Sequence, residues 1–242
     1  MKRTERHHLK DNEFARLAGG AREVIETRGR QLIGLALAIV VVIAAVLGYS
    51  AWRGMAESRA GALLAEATLL DDARVGPPPA EGGPDTAAVT FKTPREKAQA
   101  QLTKFKVVAD EYPSTDSGAF ARYREGSTRM ALGMPKEAAE AFQQVIDHSG
   151  NPLYTRMARL ALAEAETQSG QFDQAISTYT DLAQRKDDGL PIDGVLIQLA
   201  RTYRQAGKKS EAEQTLNRVI AEFPGSPFSD DARRELDVLK RS

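Results

Sequence analysis

A chain of 242 residues that is 42% apolar can bury a core and has room for one or two domains. Its 33 Lys and Arg balance its 33 Asp and Glu, but unevenly: residues 1–30 carry eight basic and five acidic side chains, leaving 25 basic against 28 acidic beyond them. The larger part is mildly acidic, which argues against nucleic acid as a partner, and the lack of cysteine excludes a disulfide framework, a thiol nucleophile and a thiolate metal site.

In chain order, the first element is the basic N-terminal segment, residues 1–30. Phe14, Leu17, Ala18, Ala21, Val24 and Ile25 recur at spacings of three and four, which is one face of a helix, weakened by Gly19 and Gly20. With Arg16, Arg22 and Arg28 on its other faces, this helix reads either as resting on anionic lipid or as merely solvated.

Residues 31–52, QLIGLALAIVVVIAAVLGYSAW, contain no charge. As a helix they span about 33 Å, at about 1.5 Å per residue, against a hydrocarbon core of about 30 Å. Eleven of them are Leu, Ile or Val, and Tyr49 and Trp52 stand where an interfacial aromatic belt would be. A single transmembrane helix is the expectation, placed in the lipid bilayer through residues 31–52. Seven of the basic residues before it (Arg3, Arg6, Lys10, Arg16, Arg22, Arg28, Arg30) face only Arg53 and Arg59 close behind it. That bias puts the N-terminus in the cytoplasm and the C-terminal domain outside, in the periplasm of a bacterial inner membrane protein. A cleaved signal peptide is the competing reading. Its apolar region would be shorter, about 7 to 15 residues, and GYSAWRGMAES offers no small-x-small cleavage site, so the sequence favours an uncleaved anchor.

Residues 53–73 keep a helical pattern through Met55, Ala60, Leu63, Leu64, Ala67 and Leu70, so the membrane helix is expected to run on. Residues 74–93, rich in Pro and Gly, predict a mobile loop without a regular element. Thr93-Pro94-Arg95-Glu96 then combines an N-cap hydroxyl, a proline at the first helical position and a Glu at the third, which starts a helix at Pro94. From residue 94 to 242 only helical periodicity appears, with breakers every 15 to 20 residues. The helices predicted are 95–112, 117–132, 135–148, 153–169, 171–186, 191–206, 208–223 and 227–241, antiparallel in sequence because the connections are short.

Within that region ALGMPKEAAEAF (131–142), QSGQFDQAISTY (168–179) and QAGKKSEAEQTL (205–216) repeat with a 37-residue step between Gly133, Gly170 and Gly207. Glycine allows the positive φ of a sharp turn. Five residues later Ala138, Ala175 and Ala212 face Gly126, Ala163 and Ala200 on the preceding helix, a seam of small residues where two helices can approach closely. Phe142, Tyr179 and Leu216, with Val145, Leu182 and Val219, fill the space between hairpins. FKVVADEYPSTDSGAFAR (105–122) parallels LNRVIAEFPGSPFSDDAR (216–233), so a half repeat precedes the three hairpins. Ser226-Pro227 is expected to cap the last helix, a charged lid for the stack.

This pattern resembles the tetratricopeptide repeat: its leucine at Leu162 and Leu199, its small eighth residue at Gly126, Ala163 and Ala200, its aromatic at Tyr203 and its terminal proline at Pro224. The sequence departs from it in its 37-residue period, in Arg122, Arg159 and Leu196 at the tryptophan position, and in Glu125 where leucine is expected. The fold class implied is all-α, a single transmembrane helix followed by a tetratricopeptide-like α-solenoid. The resemblance also implies a groove lined by the first helix of each hairpin: Phe120, Tyr123, Ser127 and Met130; Met157, Leu160, Glu164 and Thr167; Gly194, Ile197, Arg201 and Arg204. That groove would be apolar at one end and basic at the other, without the Lys and Asn pattern that clamps a C-terminal carboxylate.

No chemistry competes with binding. His7, His8 and His148 form no metal-ligand cluster, no phosphate-binding Gly-Lys-Ser/Thr loop is present, and the Asp pairs at 71–72, 187–188 and 230–231 read as solvated helix caps. No enzyme activity, cofactor, metal or small-molecule substrate is expected; the partners expected are proteins and the lipid bilayer. The order of parts resembles the ancillary SecYEG translocon subunit (YfgM-like) family, which implies a scaffold associated with translocon subunits, periplasmic chaperones or secretory clients. The alternative is an envelope-assembly or cell-division protein, because the EYPSTDSGAFAR and EFPGSPFSDDAR segments resemble repeats of Tol-Pal-associated and outer-membrane assembly proteins.

Overall fold

The computed structural model describes residues 3–77, 89–184 and 189–241, with side chains from residue 31 onward except Leu32 and Ala36. The apolar face expected from Phe14 to Ile25 lies outside the described side chains. The chain divides into two compact units, Met1–Met55 and Ala56–Ser242.

The first unit is helical from Arg3, the start of α1 (Arg3–Thr68). Among the described residues one helix is long and apolar enough to cross a membrane, and its apolar window is not buried at all. Its large aliphatic side chains from Ile33 to Leu47 are half exposed or more, and the rings of Tyr49 and Trp52 lie 5.9 Å apart.

The second unit begins with the last turns of α1, followed by a 3₁₀ turn at Leu69–Asp71. Seven helices come after residue 94 and before the last: α2 (Pro94–Glu111), α3 (Asp116–Ala131), α4 (Pro135–His148), α5 (Pro152–Gln168), α6 (Phe172–Gln184), α7 (Ile192–Gln205) and α8 (Lys209–Glu222). The last helix is α9 (Phe228–Arg241). Their ends fall within a residue of the predicted breaks, apart from the end of α6, where residues 185–188 lie outside the described residues. The caps are the expected ones. Glu96 N–H donates to Thr93 Oγ1 (3.1 Å), although the reciprocal bond to the Glu96 carboxylate comes from Lys92 N–H; Phe228 N–H donates to Ser226 Oγ (3.0 Å).

One expectation needs correction. The Pro and Gly content of segment 74–93 predicts no regular element, yet its ends form a two-residue parallel pair, β1 (Arg74–Val75) with β2 (Thr90–Phe91). Arg74 and Gly76 N–H donate to the carbonyls of Val89 and Phe91 at 3.1 and 2.9 Å, backbone pairing that composition does not report. The mobility expected in this segment falls on 78–88, outside the described residues.

Each of the three repeated glycines has positive φ, 76° at Gly133, 79° at Gly170 and 75° at Gly207. Each closes a helix in the same way. Gly133 N–H donates to Met130 O and Met134 N–H to Arg129 O; Gly170 and Gln171 pair with Thr167 and Glu166, and Gly207 and Lys208 with Arg204 and Tyr203. These are three Schellman turns, in which the last carbonyls of the helix find donors that a straight helix cannot supply. Behind each turn the small seam is closed: Ala138, Ala163, Ala175, Ala200 and Ala212 are fully buried or nearly so. Gly126 completes it in the first hairpin, where a Cβ would come within 2.6 Å of the Phe142 ring.

Among the described residues, the helices from α2 to α9 pack each on the next, and α3 also touches α5, α5 touches α7 and α7 touches α9; no comparable contact joins α4 with α6 or α6 with α8. Helices α3, α5, α7 and α9 therefore form the inner row of the stack. The half repeat read at α2 is completed by residues 56–71. Ala60 and Ala67 are fully buried against Phe105, Val108, Ala109 and Ala121. The Glu57 carboxylate accepts from Asp116 N–H (2.8 Å), Ser117 N–H (3.0 Å) and Ser117 Oγ (2.6 Å), supplying the free N-terminal donors of α3. Lys97 Nζ donates in turn to the carbonyls of Asp71 and Ala73 (2.6 and 2.8 Å). The stack thus starts with a helix that the sequence presents as the tail of a membrane segment.

Candidate protein-binding groove

The inner row decides which of the expected groove residues reach a common space. On α3, Tyr123, Ser127 and Met130 recur at spacings of four and three, so they share one stripe. The stripe is held from behind: the Tyr123 ring lies 5.5 Å from that of Phe142, and Ser127 Oγ donates to Tyr123 O (3.1 Å). Facing it on α5 are Ala161, Glu164 and Gln168. Together with Ala131 and Phe142 these side chains line an open cavity of about 300 Å³. Four of its residues, Tyr123, Ser127, Met130 and Glu164, are expected ones. Ala161 and Gln168 lie outside the repeat positions on α5, which include Leu160 and Thr167 on the side that turns toward α7.

The other expected residues do not share this space. Phe120 is half-buried, its ring 5.9 Å from that of Tyr154. Leu160 packs on the core around α7, and Met157, half-buried, lies a turn before it. Thr167 Oγ1 donates to Ala163 O (2.8 Å) and lies 3.1 Å from Thr202 Oγ1 on α7. Gly194 sits under α9, where a Cβ would meet the Phe228 ring at 3.3 Å.

Two expectations are overturned. Ile197 is fully buried among Tyr179, Leu216 and their neighbours, so it is core rather than groove lining; rotation of α7 by one side-chain position separates the two. The basic end is also not free. Arg201 Nε and Nη2 lie 2.8 and 2.7 Å from Glu235 Oε1, and Arg204 Nη1 lies 3.7 Å from Glu235 Oε2. The neutralising carboxylate comes from α9, beyond the three glycine-hinged hairpins.

Behind the groove lie buried polar groups. Glu125, 1% exposed, accepts from Arg122 Nη1 (2.5 Å) and Arg129 Nη2 (2.6 Å), and Arg122 also pairs with Asp110. An ion pair thus occupies the sites where the repeat pattern calls for tryptophan and leucine. Burial pushes the Glu166 carboxyl above its ordinary range, against one hydrogen bond from Thr178 Oγ1 (3.2 Å). Burial, and next the charge of Glu164, push the Tyr179 phenol up so that it stays neutral, while a hydrogen bond with Thr167 acts the other way. Among the described residues no group of three or more His, Cys, Asp or Glu could hold a metal.

Comparison with known proteins places this geometry. Residues 31–190 match the family model described as a tetratricopeptide repeat-like domain, and residues 195–226 match that of a tetratricopeptide repeat. Two crystal structures of a putative kinesin light chain from Podosopora anserina with nearly identical TPR-like repeats are similar in fold. Each is 20% identical, covering 60% of this chain and 78% or 79% of the other, with TM-scores of 0.52 and 0.51. No curated protein sequence matches. Repeats of this kind generally mediate protein–protein interaction and are typically non-enzymatic scaffolds.

Proposed function

The chain belongs to the tetratricopeptide repeat-like domain family, and from that premise we propose that it is a membrane-anchored scaffold whose inner helix row grips other proteins outside the cytoplasm. The observation that carries the reading is the open cavity between α3 and α5, where aromatic, thioether and carboxylate groups stand together on rigid helices. Met130 and Tyr123 adapt to varied side chains, which suits a scaffold that meets many client segments. The anchor is residues 31–52. In its support, the family match starts at residue 31, so the apolar segment and the first repeats are matched as one stretch. The basic residues ahead of the span favour an N-terminus in the cytoplasm. A scaffold so placed suits the Sec translocon, holding a chaperone or an emerging secretory chain beside it.

The test is a photo-crosslinking amino acid at Tyr123 in the full chain, in cells. The expected product contains translocon or periplasmic chaperone subunits. Recovery of outer-membrane assembly or cell-division machinery would move the scaffold to envelope assembly, and an alkaline phosphatase fusion at Ser242 that stays inactive would put the domain on the wrong side of the membrane.

A further inference from the structure

The cavity between α3 and α5 has one charged group, and the cations near it are already engaged. Glu164 is exposed and accepts a hydrogen bond from Gln168 Nε2 at 3.3 Å. On α3, Arg122 and Arg129 are bound to Glu125, Arg129 also donates to Glu137 O (3.1 Å), and Arg124 is bound to Asp71 (2.7 Å). Arg159 lies five residues before Glu164, about 140° around α5 and so on its far side. Further along the inner row, Glu235 answers Arg201 and Arg204.

The rest of the lining fits a cation on an aliphatic stem. Met130, Ala131 and Ala161 supply apolar surface, and the half-buried Tyr123 offers its ring near the same opening. Long basic side chains lay their methylenes on such surface and keep the charged head at the rim, where a carboxylate and an aromatic face both attract it. About 300 Å³ is small for a pocket and holds one long side chain rather than a folded element. We infer that this cavity receives an arginine or lysine side chain presented by an extended segment of a partner protein. The inference rests on the scaffold reading above and gives its groove a ligand class opposite to the one that a basic groove would select.

The experiment uses the full chain in lipid nanodiscs and fluorescein-labelled decapeptides. Their central residue is Arg, Lys, Gln or Glu, with mixtures of Ala, Ser and Leu elsewhere, and binding is read by fluorescence anisotropy. Arg and Lys peptides are expected to bind about tenfold more tightly than Glu peptides, a difference of about 1.4 kcal/mol. Glu164→Gln should remove most of that preference and Glu164→Lys should invert it; Glu164 is exposed, so the fold is kept in both. Ala161→Trp, which fills the cavity, should weaken every peptide. An unchanged Arg-to-Glu ratio in Glu164→Gln, or no binding of any peptide, overturns the inference. If Ala161→Trp still weakens peptides that show no charge preference, the groove reading survives and this inference alone falls. If Ala161→Trp changes nothing, both fall.

Discussion

In the first glycine-hinged hairpin, positions 122 and 125 hold an arginine and a fully buried glutamate joined at 2.5 Å, whereas the matching positions of the third hairpin, 196 and 199, hold two buried leucines. Both hairpins turn on a glycine with φ near 75° and close on small residues, so the backbone geometry is the same. What differs is how the interior between helices is filled. Leu196 and Leu199 are stabilised by leaving water, about 1.5–3 kcal/mol each, with no demand on direction. The Glu125 carboxylate must find donors for the water it loses, and it finds two guanidinium groups whose own positions are thereby fixed. The fold therefore tolerates either filling, and the polar one makes the first hairpin dependent on three side chains acting together.

That dependence gives the largest expected effect. Glu125→Ala should lower stability by about 3 kcal/mol, because it leaves Arg129 without a carboxylate in a mostly buried site and Arg122 with Asp110 alone. Leu199→Ala should cost a similar amount, about 2–4 kcal/mol, for a different reason, the cavity it leaves. The triple change Arg122→Leu, Glu125→Leu and Arg129→Tyr separates the two causes. It copies Leu196, Leu199 and Tyr203 of the third hairpin, leaves no buried guanidinium without its carboxylate, and should come within about 1 kcal/mol of the parent or exceed it. Urea unfolding of the solubilised full chain, followed by far-UV circular dichroism, reads all three variants. A triple variant as unstable as Glu125→Ala would show that the ionic group is required by the fold itself.

A smaller effect is expected at the seam. Gly126→Ala pushes a methyl toward the Phe142 ring, 2.6 Å from the new Cβ, and should cost about 1–3 kcal/mol of overpacking. In the third hairpin Leu216 replaces Phe142, and Ala200 is accommodated with its Cβ in place. Combining Gly126→Ala with Phe142→Leu should therefore recover part of the loss. Below that stand the turns. Gly133→Ala, Gly170→Ala and Gly207→Ala each force a Cβ into the left-handed region and should each cost about 1 kcal/mol. Here the hairpins should agree, since the three turns share φ and hydrogen bonds. A spread between them as large as the effect itself would mean that the turns are not equivalent.

The features that repeat were legible in the sequence because each is fixed locally. A glycine with positive φ, an alanine five residues on and a proline at a helix start act within their own turn, so the hairpins and helix ends could be placed before any packing was known. What escaped is fixed by partners far along the chain. The helix that pairs with α2 lies before the 74–93 segment and reads as continuous with the apolar span, yet Ala60 and Ala67 pack on Phe105. Glu235 neutralises Arg201 from 34 residues downstream, on α9, beyond the three glycine-hinged hairpins. The repeat pattern places Ile197 in the groove and leaves Ala161 out of it, because it gives spacing along a helix but not the rotation of that helix against its neighbours.

The smallest effect compares residue 166 with its counterpart in the first hairpin, Arg129, which is bound to Glu125. Glu166 is buried with Thr178 as its side-chain partner, and burial raises its folded pKa above the ordinary 4.5. The folded state then holds the proton more tightly than the unfolded one, so the stability it contributes is complete below about pH 4.5 and lost as pH rises through the folded pKa. At pH 7 the residue is an ionised group in a poorly solvated place, and Glu166→Gln, which keeps the shape and the Thr178 contact without the charge, should raise Tm on the order of 2 °C. The gain should shrink toward zero as the pH approaches 4. If the variant is instead less stable at pH 7 and equal at pH 4, the ionised carboxylate is the stabilising form, and the polar interiors of the first and second hairpins work by the same rule.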